Sequence, residues 1–253
     1  MRGQTSIASV FTPLMEPPAL DPRAHALFLD FDGTLADIAP RPEDVVLAPA
    51  LRQTLATLTH AMGGAVALLS GRSTSNLRGY LGGAVMHVAG IHGQELESRG
   101  LTQPSPASVA AAAAEFRALQ HEGALTARIE DKTLSLALHY RHDPSAEAEV
   151  RRIAHSVAAR RQLRVLEGKM VVELIAGSFD KGDALDAFMR APAFLGRTPI
   201  MVGDDTTDED AFTAAHRLGG FGVLVGPPRP SSASFLLASP SAVHAWLSTG
   251  LGA

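Results

Sequence analysis

The chain has 253 residues, 46% of them hydrophobic and 19% charged, with a formal net charge of −4 and no cysteine. That length carries one large domain or a core with a smaller companion, and the composition excludes a disordered chain. The weak negative charge gives no field to hold a polyanion, which argues against a nucleic-acid partner, and the missing cysteines exclude disulfides, thiolate metal sites and thiol nucleophiles.

Residues 1–25 read as a loose leader, with prolines and acids at 15–22 and no continuous apolar stretch of a signal peptide. No run approaches the roughly 20 apolar residues of a membrane span, so the expectation is a soluble, cytoplasmic protein with no membrane partner. Residues 26–29 are continuously apolar and then meet Asp30, the pattern of a strand buried on both faces that ends where its side chains reach solvent. A helix follows, with Leu51, Leu55, Leu58 and Met62 at helical spacing and Gly63-Gly64 as its stop. Residues 65–69 and 85–89 are further apolar strands, ending at Ser70-Gly71-Arg72 and at Gly90-Ile91-His92-Gly93. Strand, helix, strand in this order predicts a parallel α/β sheet with right-handed crossovers.

The middle of the chain changes character. Val109, Ala112, Phe116 and Leu119 mark an amphipathic helix after Pro104-Ser105-Pro106. Residues 133–140 alternate, with Leu134, Leu136, Leu138 and Tyr140 on one face, which fits an antiparallel strand with one covered face and a polar face toward solvent. Asp143-Pro144 predicts a helix start with Asp143 as N-cap, and Val150, Ile153 and Val157 form its buried stripe. Strands at 163–166 and 170–175 follow around a Glu167-Gly168-Lys169 turn. The segment 101–177 therefore reads as an inserted α+β cap, flanked by a core of 26–100 and 178–253. Hinges are expected near 93–100 and 177–181. After the insert come a helix at 181–189, a buried strand at 199–202, a helix at 208–218, strands near 223–224 and 235–237, and a short helix at 241–247.

Four segments stand at or just beyond the ends of core elements, on the edge where open α/β sheets bind ligands. In Asp30-Phe31-Asp32-Gly33-Thr34-Leu35, two carboxylates two residues apart can face one cavity, and Gly33 permits a sharp turn whose N–H groups suit an anion. An Asp-Gly hairpin is the bland alternative, but it leaves two acids at the end of a fully apolar strand unexplained. In Gly203-Asp204-Asp205-Thr206-Thr207-Asp208, converging carboxylates repel one another unless a hard cation sits among them, and magnesium suits few carboxylates plus water and phosphate oxygen. Helix capping accounts for Asp208 and leaves Asp204 and Asp205 unexplained. Lys181 opposes the dipole of its helix, mild support for an anionic neighbour, although a lysine at a helix start is most often a solvated charge. Ser70-Gly71 is weak alone, since Ser70 also serves as a helix cap.

Together the four segments resemble the motifs of the haloacid-dehalogenase superfamily of phosphohydrolases. The resemblance implies Asp30 as nucleophile and Asp32 as acid, then base. It implies Gly33, Ser70, Gly71 and Lys181 around the phosphate. Mg2+ would be held by Asp30, the Asp32 carbonyl and Asp204, with Asp205 and Asp208 in support. The chemistry is coherent on its own terms: phosphoryl transfer needs positioning and charge neutralisation, which a cation, a lysine and backbone donors provide. No G-x-x-x-x-G-K-[ST] nucleotide loop occurs.

From about residue 26 to 247 the chain further resembles the trehalose-6-phosphate phosphatase family, through residues 29–39, 69–73, 89–93, 136–141, 168–173 and 196–208. That resemblance implies the last step of trehalose biosynthesis on a small sugar phosphate, with Glu130, Lys132 and Glu173 of the cap reading sugar hydroxyls. Glu130-Asp131-Lys132-Thr133 reads as a hairpin tip able to cross a cleft, and most such tips are merely solvated turns. His92, His139 and Arg141 fall in family-like stretches without an assigned role. A phosphatase for another sugar phosphate, or a phosphomutase, is the alternative within the superfamily. A non-catalytic binding domain of this fold would lack the motif acids, and a receiver-like domain would not need the cap.

Overall fold

The computed structural model describes residues 15–39, 41–82, 84, 87–96, 107–177 and 179–251. In chain order β1 (His25–Leu29) leads through α1 (Pro49–Ala61) to β2 (Val66–Leu69), then through α2 (Thr74–Leu81) to β3 (His87–Gly90) and a short β4 (Glu95–Leu96). A separate group follows: α3 (Ala107–His121), β5 (Arg128–Asp131), β6 (Ser135–His139), α4 (Glu147–Arg161), β7 (Arg164–Gly168) and β8 (Val171–Ile175). The chain then returns with α5 (Lys181–Met189), β9 (Thr198–Gly203), α6 (Glu209–Arg217), β10 (Phe221–Val225), β11 (Phe235–Leu237) and α7 (Pro240–Thr249).

The first and last groups build one sheet in the order β11-β10-β9-β1-β2-β3-β4, parallel except for β4. Its strands are apolar on both faces because helices cover both, and Phe28 stacks between them on Phe194 at 5.4 Å. Chain order runs outward from β1 in one direction and then resumes beside it at β9. The crevice beyond the C-terminal ends of β1 and β9 is therefore the topological switch point. Leu29 is in register with Val202, which sets Asp30 and the residues after β9 side by side at that edge.

The inserted group makes an antiparallel sheet, β5-β6-β8-β7, with its own apolar cluster under α3 and α4. Leu136, Leu138, Val172 and Leu174 face that cluster. The opposite face carries the aligned row Glu130, Ala137, Glu173 and Leu166. This corrects the expectation of a solvent face on β6: Ser135 and Ala137 are also buried. The alternation in the sequence was genuine, but the polar side is covered by charged partners rather than water.

Other expectations shift in detail. Pro144–Ala146 is a 3-10 turn and α4 begins at Glu147. Asp143 makes no side-chain cap, because its carboxylate accepts the Ser145 hydroxyl instead. Glu130 and Asp131 lie within β5, so the hairpin tip is Lys132-Thr133-Leu134, with Thr133 at φ 71°. Glu167 and Gly168 likewise belong to β7, and Met170 at φ 62° makes the turn. The third core strand, expected at 85–89, is β3 from His87 to Gly90, with residues 85–86 outside the described residues. Of the leader, residues 15–25 are packed rather than loose: the Met15 carbonyl accepts from Leu236 N, Leu20 is buried, and Trp246 Nε1 donates to the Pro18 carbonyl. Residues 1–14 lie outside the described residues, as do Pro104-Ser105-Pro106 and residues 97–100 of the expected hinge at 93–100.

Candidate active site

At the switch point the end of β1 delivers Asp30, and the loop after β9 delivers Asp204 and Asp208. Oxygens of these three carboxylates lie within 4.8 Å of one another. Lys181, the first residue of α5, places Nζ 2.8 Å from Asp30 Oδ1 and 2.6 Å from Asp208 Oδ1. Lys181 and Asp208 are almost wholly buried. A lysine at a helix start normally meets water, and here Asp180 supplies a complete capping box with Asp183, so the helix holds despite the charge.

The charge balance is the informative feature. Three carboxylates, two of them buried and Asp204 half-buried, leave a formal charge of −2 against one ammonium when all are ionised. Burial, with Asp208 and Asp204 beside it, raises Asp30 well above the usual carboxylate range against the pull of Lys181. Burial and the neighbouring Asp208 and Asp205 push Asp204 up to about 7. Burial alone would lower Lys181, but Asp208 and Asp30 hold it above the ordinary lysine value. Hard oxygen donors with a −2 surplus fit a divalent cation. Gly33 (φ 83°) makes room for this arrangement, since a Cβ there would lie 2.2 Å from Asp204 Oδ2.

Asp205 and Asp208 form the capping box of the 3-10 turn Thr206–Asp208: the Asp205 carboxylate accepts Thr206 N, and Asp208 Oδ2 accepts Asp205 N. Capping thus accounts for Asp205, whose carboxylate is not among the three that converge, while Asp208 both caps and meets Lys181. The Gly33 N–H is engaged by the Ala36 carbonyl, so Gly33 contributes its conformation and its small size. Ser70 is buried at the end of β2, where its Oγ accepts Arg72 N.

Asp32 is held differently. Arg72 grips both its oxygens in a bidentate pair, Nε at 2.6 Å and Nη2 at 2.7 Å. The guanidinium also lies 5.2 Å from the Phe31 ring centroid and 5.1 Å from that of Tyr80. The sequence assigns Arg72 no role beyond closing the Ser70-Gly71-Arg72 segment; its position three residues past the end of β2, on the ligand-binding edge, was the available signal.

Facing this edge is the charged side of the second sheet. Glu173 Oε1 accepts Ser135 Oγ at 2.5 Å and Lys132 Nζ at 3.2 Å, and His92 Nε2 lies 2.8 Å from Oε2. Burial would raise Glu173, but the charges of Lys132 and His92 hold it far below the usual carboxylate range. Lys132 also donates to the Gly71 carbonyl at 2.9 Å, so it ties the cap to the core. Glu130 pairs with His139 Nε2 at 2.8 Å, which lowers its carboxyl despite burial. Arg141 Nη1 reaches the Ala39 carbonyl at 2.9 Å, a further tie between the two sheets. Glu130, Lys132 and Glu173 are thus brought into one neighbourhood, whereas His139 and Arg141 sit at its margin.

Residues 28–241 match the family model described as trehalose-phosphatase. The Escherichia coli trehalose-6-phosphate phosphatase is 37% identical over 242 residues, covering 93% of this chain and 89% of its own. A probable trehalose-phosphate phosphatase of Sinorhizobium fredii is 39% identical over 215 residues, covering 82% and 80%. Among solved structures, the C-terminal domain of the Candida albicans trehalose-6-phosphate phosphatase superposes with a TM-score of 0.78 at 20% identity, over 93% of this chain and 98% of that one. A haloacid dehalogenase-like hydrolase from Bacteroides thetaiotaomicron shares the fold, with a TM-score of 0.62 at 16% identity over 91% of this chain and all of that one.

Proposed function

The chain belongs to the trehalose-phosphatase family, and from that premise we propose that it hydrolyses trehalose 6-phosphate to trehalose and inorganic phosphate, with Mg2+ as cofactor and Asp30 as nucleophile. The observation that carries this reading is the convergence of buried Asp30 and Asp208 with half-buried Asp204 around Lys181, whose surplus negative charge calls for a cation beside a phosphoryl group. Asp30, the Asp32 carbonyl and Asp204 would hold the metal, with Asp205 and Asp208 keeping the loop in shape. The metal would supply neutralisation of the phosphoryl oxygens.

In the proposed reaction an Asp30 oxygen attacks phosphorus and the bond from phosphorus to the sugar oxygen breaks, leaving an aspartyl phosphate. Protonated Asp32 donates to the departing alkoxide. The resulting carboxylate then takes a proton from water as that water attacks phosphorus, which releases phosphate and restores Asp30. Lys181, Ser70 and Gly71 steady the phosphate oxygens. Because Arg72 holds both oxygens of Asp32, the carboxyl must exchange this partner for the leaving oxygen when it acts as an acid. Glu130, Lys132 and Glu173 would read the sugar hydroxyls from the cap, which we place at 101–177.

No helix among the described residues is long and apolar enough to cross a membrane. We place the reaction in the cytoplasm, where a cysteine-free chain needs no oxidising compartment. The test is phosphate release from trehalose 6-phosphate, sucrose 6-phosphate, glucose 6-phosphate and p-nitrophenyl phosphate, with and without magnesium. Magnesium-dependent release favouring trehalose 6-phosphate is the expected result. A preference for another ester discards the substrate and keeps the Asp30 chemistry; release that ignores chelation discards the metal.

A further inference from the structure

His92 lies in the turn that follows β3 of the core sheet, yet its ring reaches the cap. It sits in a turn where Ile91, His92 and Gly93 have φ values of 48°, 52° and 100°. A β-branched residue in that region is a genuine outlier, and such backbone persists only where its surroundings over-determine it. The surroundings here are the loop after β2: Ile91 N donates to the Arg72 carbonyl and His92 N to the Ser70 carbonyl, both at 2.9 Å. The imidazole packs against Gly71, where a Cβ would come within 2.7 Å of ring atoms Cε1 and Nε2. A strained turn and an absent side chain together aim one ring across the cleft.

The ring meets Glu173 Oε2 at 2.8 Å. A carboxylate has about four acceptor positions, two on each oxygen. On Oε1 they are taken by Ser135 and Lys132. The position left for a substrate hydroxyl is therefore on Oε2, the oxygen that His92 holds. The Lys132 ammonium closes the circuit by donating to the Gly71 carbonyl under the same ring.

We propose that His92 is a positioning residue for Glu173: it orients the one carboxylate oxygen still open to a sugar hydroxyl, and thereby sets the discrimination between a sugar phosphate and a phosphate ester without hydroxyls. The inference rests on the trehalose 6-phosphate reading of the site. Since Glu173 is ionised, the ring Nε2 carries the proton of this bond, and Nδ1 is buried without a protein partner.

The substitution to make is His92→Asn, because asparagine tolerates this backbone and is too short to reach Glu173. The expected result is a fall of about 10- to 100-fold in kcat/KM for trehalose 6-phosphate, the range seen when a residue that orients a ligand group is lost. Turnover of p-nitrophenyl phosphate should change by no more than about threefold, which also reports that the core has folded. The double variant His92→Asn, Glu173→Ala should be no worse than Glu173→Ala alone, and His92→Gln, which can reach and donate, should recover part of the loss. Equal losses on both esters, or losses that multiply in the double variant, overturn the proposal. If the unmodified protein ignores trehalose 6-phosphate in the presence of magnesium, the substrate reading fails separately. The contact is then judged by the imidazole Nε2–H resonance, which must shift in Glu173→Ala; a resonance indifferent to that change overturns it.

Discussion

Two buried carboxylate clusters face each other across this cleft, and they are balanced in opposite ways. In the core, Asp30, Asp204 and Asp208 share one ammonium, and both Asp30 and Asp204 are pushed upward in pKa. In the cap, Glu173 alone takes a lysine, a histidine and a hydroxyl, and is pushed downward. A cluster short of positive charge is unfinished without a cation and an electrophile. A saturated one is rigid and has a single acceptor direction to offer, which suits recognition of a neutral hydroxyl. Buried acids of similar appearance in a sequence can thus have contrary roles, decided by what the fold places around them.

The sharpest way to break this contrast is at the proposed nucleophile. Asp30→Asn should reduce phosphate release by on the order of 10⁴-fold or more, as loss of a residue acting in a catalytic unit does. It also removes one of the surplus carboxylates, so the metal-free variant should melt no lower than the unmodified protein. Substantial residual turnover, or a large drop in melting temperature, would show that Asp30 serves the fold rather than the reaction.

Next in size is the pH response of the metal-free protein. Asp204 has a folded pKa of about 7 against its ordinary 3.8, so the folded state binds more protons than the unfolded one between those values. Stability contributed by this group therefore falls as pH rises from about 4 to 7, by on the order of 2–4 kcal/mol. Glu173 has the opposite sign: its depressed pKa gives stability that is present above about 4.5 and is lost as pH falls below it. Melting scans with EDTA should decline across pH 5–7, and added magnesium should restore more stability at pH 7.5 than at pH 5 while releasing protons. A metal-free curve that rises across that window would mean the core cluster is not short of positive charge.

The unequal legibility of the two clusters has a physical cause. The core was readable because apolar runs buried on both faces ended abruptly in acids, a pattern that packing alone does not explain. Capping misled only locally, since it accounts for Asp205 as well as Asp208 and leaves Asp204 alone unexplained. The cap's charged face was harder to read. Alternation on β6 predicts one apolar face correctly, but whether the other meets water or a facing domain depends on contacts some 40 to 80 residues away, such as His92 with Glu173. The grip of Arg72 on Asp32 and the positive φ of Ile91 leave no mark in local composition at all.

On the cap side, Glu130→Ala should lower kcat/KM for trehalose 6-phosphate by roughly 10- to 100-fold, or about 1–3 kcal/mol, and hydrolysis of p-nitrophenyl phosphate far less. Equal losses would mean that Glu130 and its partner His139 hold the sheet together instead of reading sugar.

The smallest effect is expected where the two sheets also meet, through the ion pair of Arg128 Nη2 with Glu43 Oε1 at 3.2 Å. Its side chains are 57% and 50% exposed, against 14% and 9% for Lys132 and Glu173. Water and salt screen the outer pair, and ordering two long side chains offsets most of what attraction remains. Arg128→Ala should therefore leave the melting temperature and both substrate rates within error at physiological salt. A clear loss of turnover would show that cap and core are held by their rim, and would shift the weight of this interface away from the buried circuit of His92, Glu173, Lys132 and Gly71.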